Sequence, residues 1–335
     1  MTSSGYIIFV AVLVCTFVLS ALFTRLIIPK LKSLKLGQTI LDIGPRWHKS
    51  KEGTPTMGGI AFIAATLITC AALAVPYLSL KLGTLPIKLT VTLVFAALNG
   101  AIGVIDDMTK FKNHRNEGLT AGQKYLLQLV LSGVYLAAMT VFAGLDTVLH
   151  IPFTSLGFDL GPAYYVIALL ILTGIINSVN LTDGIDGLAS SVTMVVGAAV
   201  AVLGFISSNI DASILGAATI GACLGFLTYN FYPAKIFMGD TGSLFLGAMV
   251  VGSAFVLDNP VIILILGIIY VLESLSVIIQ VGSFKLTGKR VFKMSPIHHH
   301  FEKCGWSEVK IVSVFSLITL IFSIITVILT YLASV

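Results

Sequence analysis

Three groups of carboxylates stand where apolar stretches of the sequence end. They are Asp106 and Asp107 after residues 85–105, Asp183 and Asp186 within residues 180–187, and Asp240 within residues 237–243. A carboxylate at such a junction is costly to desolvate and is tolerated where it faces water, a metal or a substrate. Oxygen-only ligands suit Mg2+, which commonly binds one or two carboxylates together with substrate phosphates. These positions are therefore candidates for magnesium-assisted chemistry at a phosphate group.

Each group also has a purely structural interpretation. Asp106 and Asp107 could be a helix-end pair at the level of the lipid headgroups, but two acids at a helix C-terminus oppose its dipole and need a compensating cation. Residues 180–187 have the Asn, Asp and Gly content of a turn, in which Asp186 could cap the next helix. Asp240 lies between glycines before an apolar run, where it could be an N-cap or part of an anion and metal site.

Two further stretches carry residues that can bind phosphate or metals. Residues 294–302 contain His298, His299 and His300, which cannot all face one metal in a helix, although one or two could coordinate a metal or bind phosphate. Residues 49–59 are basic and glycine-rich, as a phosphate-binding loop is, but they lack the Gly-Lys-Ser/Thr of a Walker motif. The same composition also suits the ordinary positive flank of a membrane span.

The composition is that of a membrane protein. Hydrophobic residues make up 57% of the chain and charged residues 10%, whereas a typical soluble domain has about 25% charged residues. A membrane span needs roughly 20 mainly apolar residues. The candidate spans are residues 6–28, 57–77, 85–105, 119–142, 163–179, 188–206, 214–231, 244–258, 261–281 and 309–332. The sequence thus predicts an all-α polytopic membrane protein with about ten transmembrane helices, in a single domain over residues 1–335.

The basic residues are distributed unequally between the two sides of these spans. Of the 20 Lys and Arg, 18 fall in loops on the side of Arg25, and only Lys81 and Lys88 fall on the other. Such an asymmetry marks the cytoplasmic side, so both termini are predicted to be extracytoplasmic. The junction carboxylates, Lys51, Lys124 and the histidine triplet all fall on the cytoplasmic side. That face would present metal-binding acids beside cations suited to an anionic substrate.

Glu273 is the carboxylate that lies in the middle of a predicted span. It is predicted to face the bundle interior, where a structural hydrogen bond to a neighbouring helix and a catalytic role are both open. A cation transporter would place several acids at this depth and would repeat one half of its chain. No such repeat is visible, so the transporter hypothesis is not favoured.

Taken together, these motifs resemble the phospho-N-acetylmuramoyl-pentapeptide transferase family, within the polyprenyl-phosphate N-acetylhexosamine-1-phosphate transferase superfamily. The features typical of the whole superfamily are the Asp106-Asp107 pair, residues 180–187 and Met238-Gly-Asp240, whereas residues 280–285 and 294–302 are more specific to the muramoyl-peptide branch. The resemblance spans nearly the whole chain. It implies ten transmembrane helices in the bacterial cytoplasmic membrane and an active site that faces the cytoplasm.

The resemblance also implies a reaction. Phospho-N-acetylmuramoyl-pentapeptide would pass from its UDP-linked donor to undecaprenyl phosphate, with Mg2+ as cofactor, to give lipid I and UMP. A homodimer and inhibition by nucleoside antibiotics are expected, and no nucleic-acid partner is expected. The nearest alternative is a sister transferase that uses UDP-N-acetylglucosamine, and residues 294–302 argue against it. Direct attack by the lipid phosphate and a covalent aspartyl intermediate are both open.

Site residues are carried over by position in the same way. Asp106, Asp107 and Asp240 resemble the catalytic acid cluster, with Asp240 as the main magnesium ligand. The triplet His298, His299 and His300 resembles further active-site positions. The substrate-binding positions are Lys51, Thr56, Lys124, Asn180, Asp183, Asp186, Asn230 and Phe237. Among these, Phe237 would stack on uracil, with Asp186 near the base.

Overall fold

A computed structural model describes residues 3–34, 51–79, 86–112, 118–154 and 156–334. In this part of the chain almost all regular structure is helical, as the apolar runs predict. The helices are α1 Ser3–Ser33, α2 Gly59–Ser79, α3 Ile87–Lys112, α4 Ala121–Ala143, α5 Ala163–Thr182, α6 Leu188–Ile206, α7 Ile210–Asn230, α8 Gly239–Val256, α9 Ile263–Leu266, α10 Ile268–Thr287, α11 Ile297–Lys303 and α12 Glu308–Ser334. The basic residues Lys49, Lys81 and Arg115 lie outside the described residues.

The prediction of an all-α polytopic membrane protein is confirmed. Nine of the described helices are long and apolar enough to cross a membrane, and α2 contains a shorter apolar stretch, Gly59–Ala72. These ten correspond to the ten predicted spans. Among the described elements that the sequence did not predict are the short helix α11 and a small antiparallel hairpin of β1 Val148–His150 and β2 Gly157–Asp159, between α4 and α5.

Several predicted spans have different limits in the structure, and two of the differences change how the chain is understood. The third was predicted to end at Ile105, but α3 continues to Lys112, so Asp106 and Asp107 lie within the helix and not at its end. The ninth was predicted to begin at residue 261, but a 3-10 turn and α9 come first and α10 begins only after Gly267. The extension of α3 matters because it gives the two carboxylates helical neighbours on both sides.

Helix α8 is the centre of the bundle. In its membrane-length window, 89% of the residues are buried, against 22% in that of α1. Close approach to α8 depends on glycines in its neighbours: a Cβ on Gly103 of α3 would collide with the backbone of Asp240, and one on Gly59 of α2 with that of Gly242. With no side chain at these contacts, α3 lies directly against the start of α8, which brings Asp106 and Asp107 beside Asp240.

Apolar side chains cover the outside of the bundle as well as its core. One cluster of buried hydrophobic residues runs from Val12 in α1 to Phe315 in α12. Large apolar residues on the outward faces, such as Ile7 in α1 and Val141 in α4, are more than two-thirds exposed. An apolar exterior of this kind matches a hydrocarbon surrounding and not water.

Four helix ends meet at one end of the bundle. Helices α3 and α5 end there, and α4 and α8 begin there, because the chain passes back and forth through the bundle. Thr120 caps the start of α4 and forms a capping box with Gln123, which fixes where that helix begins. The β-hairpin lies at the opposite end, since it joins the end of α4 to the start of α5.

Candidate active site

The centre of the site is a group of three carboxylates. Asp106 and Asp107 come from α3 and Asp240 from the first turn of α8, and one oxygen of each lies within 4.8 Å of the others. The side chains of Asp106 and Asp107 are buried, and that of Asp240 is 17% exposed. Three carboxylates at this separation repel one another strongly unless cations lie between them. The structure therefore brings together the three acids that the sequence predicts for the catalytic cluster.

Lys110 supplies the first compensating cation. Its Nζ lies 2.7 Å from Asp106 Oδ2, 2.7 Å from Asp240 Oδ2 and 3.7 Å from Asp107 Oδ1. Sequence reasoning did not assign Lys110 to the site, although it lies four residues after Asp106 and three after Asp107. Residues at these spacings are neighbours on a helix surface. The signal was hidden because α3 was predicted to end before the acidic pair.

Lys124 and Asn180 complete the surroundings of Asp240. Lys124 Nζ lies 2.8 Å from Asp240 Oδ2, and Asn180 Nδ2 donates to Asp240 Oδ1 at 2.7 Å. The Asn180 amide also donates to Ser243 Oγ at 2.7 Å. Both predicted substrate-binding residues are thus part of the central cluster, which contains three carboxylates and two ammonium groups.

Asp107 also has a structural task. Its oxygens accept hydrogen bonds from the backbone N–H of Asp240 at 3.3 Å, the N–H of Thr241 at 2.9 Å and the Thr241 hydroxyl at 2.8 Å. The first N–H groups of a helix have no partner within the helix, and a carboxylate near them is favourable. Asp107 thus caps α8 from a neighbouring helix, whereas the N-cap role considered for Asp240 is wrong, because Asp240 lies inside the first turn.

The three carboxylates fit a hard divalent cation. Ligand oxygens around an octahedral Mg2+ lie about 3 to 4 Å apart when each metal–oxygen bond is about 2.1 Å, and the separations within 4.8 Å are of this size. Each carboxylate keeps free lone pairs beside its present hydrogen bonds. The two lysines leave one negative charge uncompensated among the three acids. Donor type, spacing and charge all match a magnesium site.

A second cluster surrounds Lys51. Its Nζ lies 2.6 Å from Asp186 Oδ1 and 2.6 Å from Glu308 Oε2. Glu308 Oε2 also accepts the Asp186 backbone N–H at 2.9 Å, and Asp186 Oδ2 accepts the Ala234 N–H at 2.8 Å. Asp186 therefore does not cap α6, which instead follows Gly187 at φ 76°. Sequence reasoning missed Glu308, since nothing local marks a contact between residues 51 and 308.

The turn between α5 and α6 connects the two clusters. It carries Asn180 at one end, beside Asp240, and Asp186 at the other, beside Lys51. Between them, burial and the negative charges of Asp240, Asp107 and Asp186 raise the pKa of Asp183 to about 8. A carboxyl with a raised pKa keeps its proton to a higher pH than a free aspartate does, and in that form it can donate a hydrogen bond.

Thr56 and Phe237 lie on two segments that pair with each other. The Phe237 N–H donates to Pro55 O at 2.8 Å, and the Gly58 N–H donates to Phe237 O at 2.8 Å. The Phe237 side chain is half-buried. Thr56 Oγ1 lies next to Gly239, where a Cβ would meet it at 2.9 Å. The pairing holds Phe237 and Thr56 close to the start of α8.

Asn230 and the histidines occupy structural positions in the described chain. The buried Asn230 amide donates to Ile236 O at 3.0 Å. His298 is fully buried, with Nδ1 3.0 Å from Glu273 Oε1, and this confirms that Glu273 faces the interior. His299 Nδ1 lies 2.6 Å from Glu302 Oε2, and His300 Nδ1 accepts the Lys293 N–H at 3.1 Å.

The three histidines therefore have different hydrogen-bond partners, although the rings of His298 and His299 lie in contact, with centroids 4.1 Å apart. A Cβ on Gly184 would collide with His298 Nε2, so this ring lies against the turn that carries Asp183 and Asp186. The described contacts do not bring the triplet to the carboxylates of the central cluster. A catalytic role of these residues stays a prediction.

Comparison with known proteins agrees with this architecture. Residues 89–258 match the model of glycosyl transferase family 4, and residues 51–63 match phospho-N-acetylmuramoyl-pentapeptide-transferase signature 1. The chain is 45% identical over 313 residues to a phospho-N-acetylmuramoyl-pentapeptide-transferase of Clostridium perfringens (strain SM101 / Type A), with 93% of this chain and 94% of that protein covered. It is 45% identical over 318 residues to the protein of the same name from Clostridioides difficile (strain 630), with 94% of this chain and 95% of that protein covered. It is 43% identical over 313 residues to that of Shouchella clausii (strain KSM-K16), with 93% of this chain and 94% of that protein covered.

A bundle of membrane helices with carboxylates and lysines gathered at one end, in a chain that matches a glycosyl transferase model, defines an integral-membrane transferase. The full-length identities specify the group within this class. This chain belongs to the phospho-N-acetylmuramoyl-pentapeptide-transferase family, and the resemblance carried by its motifs is confirmed.

Proposed function

We propose that this protein transfers phospho-N-acetylmuramoyl-pentapeptide from UDP to undecaprenyl phosphate, forming lipid I and releasing UMP. The observation that carries the proposal is the cluster of Asp106, Asp107 and Asp240 with Lys110 and Lys124, in a chain of this family. The direct test is UMP release from the UDP-linked donor in detergent, with and without undecaprenyl phosphate and Mg2+. Repeated turnover of UMP release, beyond one equivalent per protein, without the lipid acceptor would contradict the proposal.

The cluster suits the charge problem of this reaction. Donor and acceptor both carry phosphate, so their approach is repulsive, and negative charge spreads over the transferred group in the transition state. Lys110 and Lys124 provide two fixed ammonium groups beside Asp240. Preorganised charges of this kind stabilise developing charge without reorganisation during the reaction.

The same residues would hold the metal. Asp240 would be the main ligand of Mg2+, with Asp106 and Asp107 as the other protein ligands, because their oxygens lie within 4.8 Å of one another. When bound, the ion supplies Lewis-acid stabilisation of phosphate oxygens. In the protein, Lys124 and Asn180 orient the Asp240 carboxylate, and Asp107 fixes the start of α8.

A sister activity with UDP-N-acetylglucosamine is not favoured, because residues 51–63 match the signature of the muramoyl-peptide branch. A competition assay separates the two donors. We expect turnover of the muramoyl-pentapeptide donor. Turnover of the N-acetylglucosamine donor alone would contradict the proposed substrate.

The remaining partners follow from the proposed reaction. The active site would face the cytoplasm, where the UDP-linked donor is soluble, and the lipid phosphate would stay at the surface of the cytoplasmic membrane. Homodimer formation and inhibition by nucleoside antibiotics, which would occupy the donor pocket, belong to the same proposal. Each can be measured on purified protein, by mass photometry and by inhibition of UMP release.

Phe237 is proposed to stack on the uracil base, with Asp186 close to it. The ring is half-buried at the start of α8, and its removal takes away a contact that ground state and transition state share. Phe237→Ala should therefore raise the donor KM about tenfold or more and lower kcat less. Steady-state kinetics over a range of donor concentrations measure both. A pure kcat defect would contradict base stacking.

Glu308 is proposed to position Lys51 and the Asp186 turn. Its Oε2 accepts from the Lys51 ammonium and from the Asp186 N–H, so Glu308→Ala leaves both donors with one acceptor fewer. We expect the donor KM to rise about tenfold, the order expected for loss of a hydrogen bond to a charged group. Glu308→Gln keeps an acceptor oxygen and should fall between Glu308→Ala and the unmodified protein.

Glu52 provides a matched control for this prediction. It is an exposed carboxylate directly after Lys51, and Glu52→Ala should leave the donor KM unchanged. Equal effects of Glu52→Ala and Glu308→Ala would indicate a general charge effect. An unchanged KM in Glu308→Ala would show that Lys51 and the turn keep their positions without Glu308.

A further inference from the structure

The segment around the end of α10 has an unusual charge distribution. No Asp or Glu occurs between Glu273 and Glu302, whereas four basic residues fall within nine positions: Lys285, Lys289, Arg290 and Lys293. We call residues 284–293 the basic hook. It takes no part in the central cluster or in the cluster around Lys51.

The basic hook is an ordered structure built on α10. Gly288 ends the helix in the left-handed conformation at φ 69°, and the chain then folds back along it. Gln280 fastens the returning chain, since its Oε1 accepts the N–H groups of Val291 at 3.0 Å and Phe292 at 2.9 Å, and its Nε2 donates to Phe292 O at 3.0 Å. Ser283 Oγ donates to Lys289 O at 3.0 Å. These hydrogen bonds hold the backbone that carries the basic side chains.

Apolar and basic side chains are exposed together on the basic hook. Phe284 is 54% exposed, Leu286 87% and Val291 55%. Lys285, Lys289 and Arg290 are exposed as well, and in the described part of the chain no carboxylate forms an ion pair with them. A segment that exposes apolar side chains together with cations is poorly suited to water. It is well suited to a lipid surface, where acyl chains contact the apolar side chains and anionic headgroups contact the cations.

The preceding part of α10 shows where this surface lies. Ile278, Ile279 and Val281 are 65%, 46% and 46% exposed, and these positions point to different sides of the helix. A helix with apolar residues exposed on several sides is surrounded by hydrocarbon. The basic hook directly follows this stretch, so it lies where α10 leaves the apolar layer, at the level of the lipid headgroups.

We propose that the basic hook is a binding site for the headgroups of anionic phospholipids. Lys285, Lys289 and Arg290 bind the phosphates, while Phe284, Leu286 and Val291 enter the acyl boundary. Clusters of basic residues next to a membrane helix attract anionic lipids in this way, and the attraction weakens with ionic strength. The proposal does not depend on the transfer reaction, and its test needs no enzymatic turnover.

Fluorescence quenching in lipid nanodiscs tests the proposal. An environment-sensitive dye is attached in Val291→Cys, after the two exposed cysteines are changed in Cys15→Ser and Cys304→Ser; Cys70 and Cys223 are buried. Nanodiscs hold equal amounts of phosphatidylcholine and phosphatidylglycerol, and a doxyl quencher is carried by one lipid or the other. We expect the labelled phosphatidylglycerol to quench about twofold more strongly or better, and high salt to reduce the difference.

Charge variants decide whether the basic hook is responsible. Lys289→Gln with Arg290→Gln should bring the two quenching values together, whereas Lys30→Gln with Lys32→Gln, in the last turn of α1, should not. Equal quenching with the unmodified hook, or a preference that survives its double substitution, would overturn the proposal. Loss of the preference on adding a few mole per cent of undecaprenyl phosphate would also overturn it, because the occupant would then be the prenyl phosphate. UMP release in detergent should be unchanged in all variants.

Discussion

Asp240→Asn is expected to lower kcat by at least about 10³-fold while the protein stays folded. Asp240 Oδ2 accepts from Lys110 at 2.7 Å and Lys124 at 2.8 Å, and Oδ1 accepts from Asn180 at 2.7 Å. An asparagine amide would turn an N–H2 group toward donors and would lose the charge proposed to hold Mg2+. Asparagine has nearly the volume of aspartate, and Lys110 keeps Asp106 and Asp107 as partners, so the fold should tolerate the substitution.

UMP release over a range of Mg2+ concentrations and thermal unfolding in detergent measure the two parts of this prediction. Asp258 offers a matched control near the other end of α8. It pairs with Lys88 at 2.6 Å, and its φ of 55° is one that asparagine tolerates well. Asp258→Asn should retain full activity. Ordinary turnover of Asp240→Asn at the usual Mg2+ concentration would remove Asp240 from the metal site.

That the three acids lie on the same side of the membrane could be predicted, because the number and order of the spans determine the side on which each residue falls. Once the spans are counted, Asp106, Asp107 and Asp240 must fall where apolar stretches end on the same side, and the basic loops mark that side. Topology cannot give the rotation of each helix. Asp240, and not Asp183, completes the group of three carboxylates because Gly103 and Gly59 let α3 and α2 lie directly against the start of α8. These contacts between helices cannot be seen in the local sequence pattern.

The cations and the second cluster could not be predicted for two different physical reasons. Lys110 was missed because the acidic pair was taken as the stop of α3, although a helix can continue into the polar region when charged neighbours pair along it. Glu308 was missed because its contact with Lys51 joins residues 257 positions apart. Only the packing of the last helix onto the rest of the bundle creates that contact.

The surroundings of the histidine triplet could be predicted only in part. Residues 294–302 identified the family correctly, and the sequence predicted that three helical histidines cannot share a metal. Burial of His298 against Glu273 could not be anticipated, because it requires α11 to fold back onto the middle of α10. The closeness of the His298 ring to Gly184 likewise depends on this packing, which the motif alone does not give.

The role of Asp106 depends on what its oxygens already do. Oδ1 accepts the Leu119 N–H at 2.8 Å, and Oδ2 lies 2.7 Å from Lys110 Nζ. A general base needs a lone pair aimed at the proton that it removes, whereas the lone pairs that Asp106 keeps beside these contacts are the ones proposed to hold Mg2+. A phosphate monoester has a second pKa near 6 and is mostly dianionic at pH 7. A general base that removes a proton from the acceptor phosphate would therefore increase the rate only slightly.

We accordingly expect Asp106 to act mainly by positioning Lys110, the metal or the acceptor phosphate. Asp106→Asn keeps an oxygen for the Leu119 N–H but loses the ion pair with Lys110, and kcat should fall about 10²-fold or more. The loss should be nearly constant from neutral to alkaline pH, because the missing interaction does not involve a proton of the substrate. If proton removal dominated, the variant would regain most of its rate at alkaline pH, where the lipid phosphate ionises without help. The pH profile of kcat for UMP release, measured side by side with the unmodified protein, distinguishes these outcomes, and strong alkaline rescue would establish Asp106 as the general base.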